Sequence, residues 1–501
     1  MLEKISHKVL VFLFGVMIGS IMLGSYIYTS VIFSWEKTEF KNGFGLLHLV
    51  MGILLFILFY KIYRSGKYRI FQVLSRRRLE VVLILASMVW ILLTQLIPKA
   101  DQAIALRTAG QFLEGDFSAF SQGGYLFQYP NQIGLVLVET LIGKFAGNGN
   151  HLVLQFLNIG ALVLIVHYLS KIYERFFGES TVFILHWMLL LFVPLIFYTT
   201  FVYGTMAGLA CSLASLYYML LFRDNKKYRY MFLSIVLILA AVGLKMNYSI
   251  VFIAMLLFLL LFALVERNIR YLLFAGTLVI LFIGGGFICK WGIEQVTGMS
   301  YPSGIPSIRW VDMGLSDTNK KTAPGWWWSL KHRDAYLDNG YDYEGAVEEH
   351  TESIKEQLQC FYYEPAYAMK FFTKKVLSSW TEPTFGSFWV MRTCQSGITQ
   401  SHWVSSVVNG DASVIILCCL DLFQSLAYAG VFLWIIGKRR DRRPECLILP
   451  VIVLGGFLFH LFWETKGQYI FPYFVLLLPY AANGFVLAVR AVEEKNGDNR
   501  F

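Results

Sequence analysis

The sequence predicts an α-helical polytopic membrane protein with about twelve transmembrane helices. Hydrophobic residues make up 56% of the 501 positions, only 15% are charged, and the mean hydropathy is +0.56. Soluble domains carry about 25% charged residues. Many apolar runs are long enough to cross a hydrocarbon core, which takes about 20 helical residues. A chain of this composition requires lipid as its surroundings.

The apolar runs define the individual spans. The first run is too long for the apolar region of a signal peptide, and no small-residue cleavage site follows it, so we interpret it as an uncleaved helix. The predicted spans are 8–33, 44–62, 80–97, 152–173, 181–198, 205–222, 229–243, 247–265, 270–288, 412–437, 445–463 and 467–490.

Basic residues predict the orientation, because Lys and Arg accumulate in cytoplasmic loops. They cluster in 64–78, in 223–229 (RDNKKYR) and in 438–443 (KRRDRR). With a cytoplasmic N-terminus, twelve spans place all three clusters and the C-terminus in the cytoplasm. The net charge of +10 therefore reflects membrane insertion, and no nucleic-acid partner is expected.

One apolar run, 131–147, is not counted as a span. Counting it would turn the basic segment 223–229 outward. We expect this run to dip into the outer leaflet or to lie on it, as a re-entrant or juxtamembrane helix.

The topology divides the chain into five parts. The second external part has about 120 residues and is expected to be mainly helical, with amphipathic helices over 344–380 that break at Pro365. The parts are 1–97 (three spans), 98–151 (external loop with juxtamembrane helices), 152–288 (central spans), 289–411 (external domain) and 412–501 (three spans and a short cytoplasmic tail).

Asp101 is the first candidate for chemistry. It lies within a few residues of the predicted outer membrane face and precedes a helical pattern that also carries Gln102 and Arg107. A carboxylate in this place can take a proton from an acceptor hydroxyl or amine. The competing interpretation is a helix N-cap, a position that also favours Asp, and the two are compatible.

Three further external turns carry candidate substrate contacts. Charges at the membrane rim are costly and are often functional. The alternatives are plain turns, a snorkelling lysine and an interfacial belt of aromatic residues. The candidates are Tyr129, Asn131 and Gln132 in 123–134, Lys245 and Asn247 in 243–249, and Lys466, Gln468 and Tyr469 in 463–473.

Other signals are weaker or missing. The GWWWS stretch, 325–329, can stack on a sugar or a polyprenyl chain, or can seat a domain at the lipid headgroups. The sequence has no Walker A motif, no HExxH and no G-x-S-x-G. We therefore expect no cofactor and no dedicated metal site, with a divalent cation left open.

Several segments together resemble a known family. An acid after an early transmembrane helix, an amphipathic helix, a Tyr-Pro turn and an apolar run ending in KFAG resemble the first external loop of GT-C glycosyltransferases. The likeness is to the bacterial branch related to protein O-mannosyltransferases and aminoarabinose transferase. LKMNYSIVFIAM and KGQYIFPYFVLLLPYAANGF are similar to their Lys-containing turn and final helix. Two extra spans precede the loop here, and a second proline and a second acid beside Asp101 are missing.

The resemblance implies a GT-C-like fold and an inverting sugar transfer. The donor would be a polyprenyl-phosphate sugar, and the acceptor an extracytoplasmic glycan, lipid or protein, at the plasma membrane of a bacterium. Asp101 would deprotonate the acceptor, while Lys245 and Lys466 would stabilise the departing lipid phosphate.

Three other functions remain open from the sequence. A flippase or transporter of lipid-linked glycans predicts charged residues within the spans, such as Asp421. A ligase or polymerase of surface glycans would use the external residues Arg309, Arg392 and His402 instead of Asp101. A non-catalytic scaffold would tolerate Asn at position 101.

Overall fold

The structure is a computed structural model that describes residues 2–33, 36–437 and 443–495. Helices dominate it, accompanied by two small two-stranded sheets. The elements of the first part are α1 (Leu2–Ile27), β1 (Tyr28–Ile32), β2 (Thr38–Asn42), α2 (Gly45–Arg64), α3 (Arg76–Thr94) and β3 (Leu96–Ile97).

The next two parts are almost entirely helical. The first external segment contains α4 (Asp101–Leu113), α5 (Tyr125–Gln128) and α6 (Ile133–Ala146). The central part contains α7 (His151–Phe177), α8 (Val182–Leu191), α9 (Pro194–Phe197), α10 (Thr205–Asn225), α11 (Tyr228–Leu244), α12 (Ser249–Glu266) and α13 (Arg270–Thr297).

The second external segment is mainly helical, as predicted. It contains α14 (Ile308–Leu315), α15 (Ala335–Asp338), α16 (Tyr343–Tyr363), α17 (Pro365–Trp380), α18 (Ser387–Thr393), β4 (Gln395–Ser396) and α19 (His402–Asn409). Pro365 occupies the first turn of α17, so the predicted helix break at this proline is confirmed. The chain ends with α20 (Asp411–Ile436), α21 (Ile448–Phe462) and α22 (Gly467–Lys495).

The protein is an α-helical, multi-pass membrane protein by the length and apolarity of its helices. Among the described residues, 9 helices are long and apolar enough to cross a membrane, and the bent pair of α8 and α9 would make 10. The other two predicted spans coincide with α3, which opens on three arginines, and with α11, which has 17 residues. The count of twelve spans stays a prediction.

The prediction of one helix over 8–33 is wrong at its end. Helix α1 stops at Ile27, and β1 pairs antiparallel with β2 in a hairpin. The β-branched residues Thr29, Val31 and Ile32 favour the extended chain here. At the other boundary, α13 continues to Thr297, beyond the predicted end at 288.

Helix α6 occupies the apolar run that was not counted as a span. Its 14 residues reach about 21 Å, short of the roughly 30 Å of a hydrocarbon core. It packs against α4 through Thr140, whose hydroxyl donates to the Ala109 carbonyl at 3.4 Å. Leu141 and Phe145 on its other face are exposed. A short helix with one apolar face left open fits a juxtamembrane position.

Ion pairs join loops that the charge pattern places in the cytoplasm. Arg175 in the last turn of α7 pairs with Asp224 at the end of α10, with 2.7 Å between Nη2 and Oδ1. Arg223 pairs with Glu266 at 2.7 Å and also with Glu445, before α21. Four loops predicted to share one side therefore meet there. The basic residues at 438–442 lie outside the described residues.

Buried Lys375 on α17 ties the external domain to the helix bundle. Its ammonium donates to the carbonyls of Leu461 and Trp463, both at 2.9 Å, and to that of Gly314. An ammonium has three N–H donors, so its hydrogen-bonding capacity is filled. Burial lowers the pKa of Lys375 well below its ordinary value, against the attraction of Glu464.

Two glycines allow α20 and α22 to pack closely in the centre of the bundle. A Cβ built on Gly484 would collide with the backbone carbonyl of Gly430, and a Cβ on Gly430 would lie 2.7 Å from the Ala481 carbonyl oxygen. Nearby, the rings of Trp434 and Tyr480 pack edge to face with centroids 4.7 Å apart. Small residues permit such backbone contacts between membrane helices.

Gly484→Ala is therefore expected to lower the thermal midpoint of the detergent-solubilised protein. The added methyl group must push α20 away, and overpacking of this kind costs about 1–3 kcal/mol. Gly276→Ala on α13 is the matched control, because nothing lies within 4 Å of a Cβ at that position. Equal midpoints for both variants would show that α20 and α22 do not make this contact.

Candidate functional site

A cavity of about 750 Å³ lies on the predicted external face. We call it the central cavity. Each of the six loops that the twelve-span topology places outside contributes to it. No described residue of a predicted cytoplasmic loop lines it, which agrees with the predicted alternation of sides. One lining residue from each loop, in chain order, is Glu36, Asp101, Tyr203, Lys245, Trp310 and Glu464.

Ten of the eleven predicted site residues line the central cavity. They come from segments far apart in the sequence. These residues are Asp101, Gln102, Tyr129, Asn131, Gln132, Lys245, Asn247, Lys466, Gln468 and Tyr469. The eleventh, Arg107, lines a separate cavity of about 350 Å³ together with Glu114 and His151.

Asp101 is the first residue of α4 and faces the central cavity. Its Oδ2 accepts a hydrogen bond from the Tyr203 hydroxyl at 3.4 Å. The N-cap interpretation is wrong: Ala100, in the left-handed region with φ 52°, is the N-cap, and no side chain caps the helix. The carboxylate is therefore available to a ligand instead of being used by the helix end.

Gln102, the residue after Asp101, makes a structural contact with the segment that carries Tyr203. Its side-chain oxygen accepts the backbone N–H of Val202 at 2.9 Å, and the side chain is buried. This bond fixes the segment that carries Phe201 and Tyr203 against the start of α4. Gln102 thereby orients the partner of Asp101.

Lys245 lies at the end of α11 and is surrounded by aromatic rings. Its ammonium is 4.6 Å from the ring centroid of Tyr203, 5.6 Å from that of Phe201 and 5.9 Å from that of Tyr469. It donates to the Thr205 hydroxyl at 3.0 Å, and no carboxylate of the described residues forms an ion pair with it. Burial lowers the pKa of Lys245 to about 7, opposed by the charges of Asp101 and Glu464.

Lys466 differs from Lys245 because its charge is already paired. The ammonium lies 2.7 Å from Glu36 Oε1 and 3.4 Å from Glu464 Oε1. Burial alone would lower the pKa of Lys466, but the two carboxylates hold it well above its ordinary value. Burial also raises the pKa of Glu464, whose other oxygen accepts the Tyr469 hydroxyl at 3.1 Å. Lys245 is thus the better placed of the two lysines to meet a new anion.

Glu36 is a site residue that the sequence did not reveal. It lies in the connection between β1 and β2, is only 6% exposed, and has φ 57° in the left-handed region. Strain of this kind persists where the surroundings determine the conformation. The hairpin is held by backbone hydrogen bonds from Ser30 to Thr381 at 3.0 Å and from Thr38 to Lys321 at 3.1 Å. The acidic and basic residues of this short loop were its only signal.

The turn with Tyr129, Asn131 and Gln132 is fastened to the second external segment. The Ile305 N–H donates to the Gln128 carbonyl at 3.0 Å, and the Tyr301 hydroxyl donates to the Pro130 carbonyl at 2.9 Å. These bonds hold two amide side chains and a tyrosine at the cavity wall. Such groups can accept from and donate to hydroxyls of a bound ligand.

The residues of the alternative ligase interpretation are dispersed. Arg309 is buried and donates to the Arg333 carbonyl at 2.6 Å. His402 begins α19 and is exposed, away from the central cavity. Arg392 does line the cavity, and its Nε donates to the Val408 carbonyl at 2.9 Å.

The arrangement combines an acid and a cation through one tyrosine. The hydroxyl of Tyr203 bonds Asp101, and its ring faces the ammonium of Lys245. A base and a cation in this arrangement can serve one transfer reaction. The base takes a proton from the attacking group, and the cation stabilises the charge on the leaving group. Within the described ranges, no three His, Cys, Asp or Glu side chains are grouped as metal ligands.

Comparison with known proteins returned no relative. No protein-family model, curated protein or solved structure matches the chain.

Glu36→Gln is expected to lower the thermal midpoint, because Lys466 would stay buried with Glu464 as its only carboxylate. Breaking a buried ion pair costs up to about 3–5 kcal/mol, and the remaining carboxylate reduces that cost. Glu39→Gln on the same hairpin is the control, because Glu39 is solvated and pairs only with Lys37. Midpoints that fall equally, or not at all, would contradict the contact between Glu36 and Lys466.

Proposed function

We propose that the protein is a GT-C-type membrane glycosyltransferase that moves a sugar from a polyprenyl-phosphate donor to an extracytoplasmic acceptor. The observation that carries the proposal is the pair of Asp101 and Lys245, joined by Tyr203 inside one cavity, with no ion pair from Lys245 to a carboxylate of the described residues. Loops from every predicted external part of the chain build that cavity. The resemblance of 98–147 to the first external loop of GT-C enzymes points to the same reaction.

The proposed reaction is a single inverting displacement. Asp101 takes the proton of the acceptor hydroxyl as its oxygen attacks the anomeric carbon of the sugar. The bond from that carbon to the phosphate oxygen breaks, and both of its electrons leave with the lipid phosphate. The products are the glycosylated acceptor, protonated Asp101 and polyprenyl phosphate.

Lys245 is assigned to the leaving phosphate. Negative charge builds on the phosphate oxygen as the bond breaks, and a cation in a buried setting stabilises it strongly. Lys466 is neutralised by Glu36 and Glu464, so its proposed part is to hold these groups in place beside the sugar. Arg107 has no part in this scheme, because it lies outside the central cavity.

The transporter alternative rests on buried polar groups within the helices. Asp421 on α20 accepts the Thr29 hydroxyl at 2.7 Å and lies 3.7 Å from His48 Nε2. These contacts join α20 to β1 and to the first turn of α2, as a structural network would. The glycosyltransferase proposal accounts for the external cavity, which a simple carrier does not require.

Asp101→Asn is expected to reduce sugar transfer by about 10²–10⁴-fold, the range for loss of a general base. Membranes with matched expression would receive radiolabelled polyprenyl-phosphate sugars, and label leaving the lipid would be followed. Asp116→Asn is the control, because this exposed carboxylate of the same loop lies outside the cavity. Full transfer by Asp101→Asn would overturn the assignment of the base.

The affinity for polyprenyl phosphate is expected to fall as the pH rises above about 7, because an anion binds the protonated form of Lys245. Bound phosphate stabilises the ammonium form of Lys245. It therefore raises the pKa of Lys245 and moves the fall in affinity to higher pH. Measurements from about pH 7 to about pH 9 avoid the second ionisation of the phosphate, near pH 6.

Lys245→Arg tests the origin of this pH dependence. A guanidinium stays charged across this range, so the variant should bind polyprenyl phosphate with an affinity that does not change with pH. An affinity of the wild-type protein that is constant with pH, or an unchanged fall in Lys245→Arg, would contradict the contact between Lys245 and the phosphate.

A further inference from the structure

Five tryptophans of the described residues line the central cavity, more than the proposed phosphate chemistry uses. They come from α14, from the loop before α15, from α18 and from the end of α21. All five are partly exposed, so part of each ring faces the cavity. They are Trp310, Trp327, Trp328, Trp389 and Trp463.

Two of these rings form a fixed surface that we call the tryptophan wall: Trp310 and Trp327, which share one cation. The guanidinium of Arg309 lies 5.1 Å from the ring centroid of Trp310 and 4.6 Å from that of Trp327. A cation on one face of a ring holds the ring and leaves its other face for a ligand.

The loop that carries Trp327 is anchored by hydrogen bonds to two neighbouring segments. Trp326 is buried, and its indole N–H donates to the Ser378 hydroxyl at 3.2 Å. The Thr465 N–H donates to the Gly325 carbonyl at 3.0 Å, which ties the same loop to the turn with Lys466. The wall therefore keeps a fixed position relative to the charged groups of the cavity.

A saccharide fits the combination of aromatic faces and polar groups. The C–H bonds on one face of a sugar ring carry a partial positive charge, which the negative face of an indole attracts. The hydroxyls at the ring edge need hydrogen-bond partners. Asn131, Gln132 and Gln468 line the same cavity, and Glu36 Oε2 has no hydrogen-bond partner among the described residues.

The size of the cavity allows more than the donor sugar. Pockets of about 300–1,000 Å³ hold drug-sized ligands, and the central cavity has about 750 Å³. A polyprenyl chain would need a continuous apolar lining, whereas this cavity also carries charged and amide side chains. The donor monosaccharide would occupy only part of the volume, beside Asp101 and Lys245.

We propose that the acceptor is itself a saccharide, which stacks on the tryptophan wall and presents a hydroxyl to Asp101. The protein would then extend or decorate a glycan, and would not modify a protein side chain or a phospholipid. This inference rests on the proposed function and adds the chemical class of the acceptor to it.

The test identifies the class of the labelled product. The purified protein in nanodiscs would receive radiolabelled polyprenyl-phosphate sugars. Three acceptor pools from the envelope of the source cells would be offered: a protease-treated glycan fraction, a deglycosylated protein fraction and a phospholipid extract. Label is expected in the glycan fraction and should resist protease. Label in protein or phospholipid, or released only as free sugar, would overturn the inference. No loss of label from any donor would instead count against the proposed function.

Substitutions in the wall separate acceptor binding from the chemistry. Trp327→Ala is expected to raise the KM for the glycan fraction by about tenfold, the effect of losing one ring contact. Transfer of sugar to water should fall less than transfer to the glycan, because the wall is assigned to the acceptor. Trp327→Phe keeps an aromatic face and should recover most of the affinity, even if the alanine variant folds poorly.

Trp403→Ala is the matched control, because Trp403 is 58% exposed on α19 and does not line the cavity. An unchanged KM in Trp327→Ala would overturn the inference. An equal loss of glycan transfer and of transfer to water would overturn it as well, since it would assign the wall to the donor.

Discussion

One buried ammonium, that of Lys375, holds the external domain to the helix bundle. It gives its three hydrogen bonds to carbonyls at the end of α14, at the end of α21 and in the turn that follows. Burying a charge is costly unless its hydrogen bonds are made, so these three segments are constrained to meet at one point. Trp310 lies on α14, and Glu464 and Lys466 follow α21. The geometry of the central cavity therefore depends on this contact.

The position of the cavity also follows from the requirement that a chain in lipid satisfies its backbone hydrogen bonds internally. Segments that cross the membrane must satisfy their backbone as helices, so irregular polar segments collect at the two ends of the bundle. At one end, ion pairs such as that of Arg223 with Glu266 and Glu445 close the structure. At the other end, the loops fold inward around charged groups, and Lys245 has no carboxylate partner in the part of the chain that the structure describes. This asymmetry separates a structural end of the molecule from an end that can bind an anion.

The apolar runs were enough to predict most of the long helices, and ten of the eleven residues chosen from the sequence line one cavity. The sides of the loops stay a prediction. Contacts between residues that are far apart in the sequence were not predictable. The stretch YTSVIF continues an apolar run, so a strand and a helix end look alike there, and Glu36 was missed with its hairpin. Arg107 follows Asp101 by six residues, about 240° around a helix, which already placed it on another face.

We propose that a polyprenyl-phosphate sugar binds in this cavity between Asp101 and Lys245. The most direct measurement is a cryo-electron microscopy structure with a donor analogue whose bond to the sugar cannot be cleaved. We expect the phosphate to contact the Lys245 ammonium and the anomeric carbon to face Asp101. The tryptophan wall should lie on the side of the sugar that faces away from the phosphate. A phosphate bound outside the central cavity, or a sugar turned away from Asp101, would contradict the account.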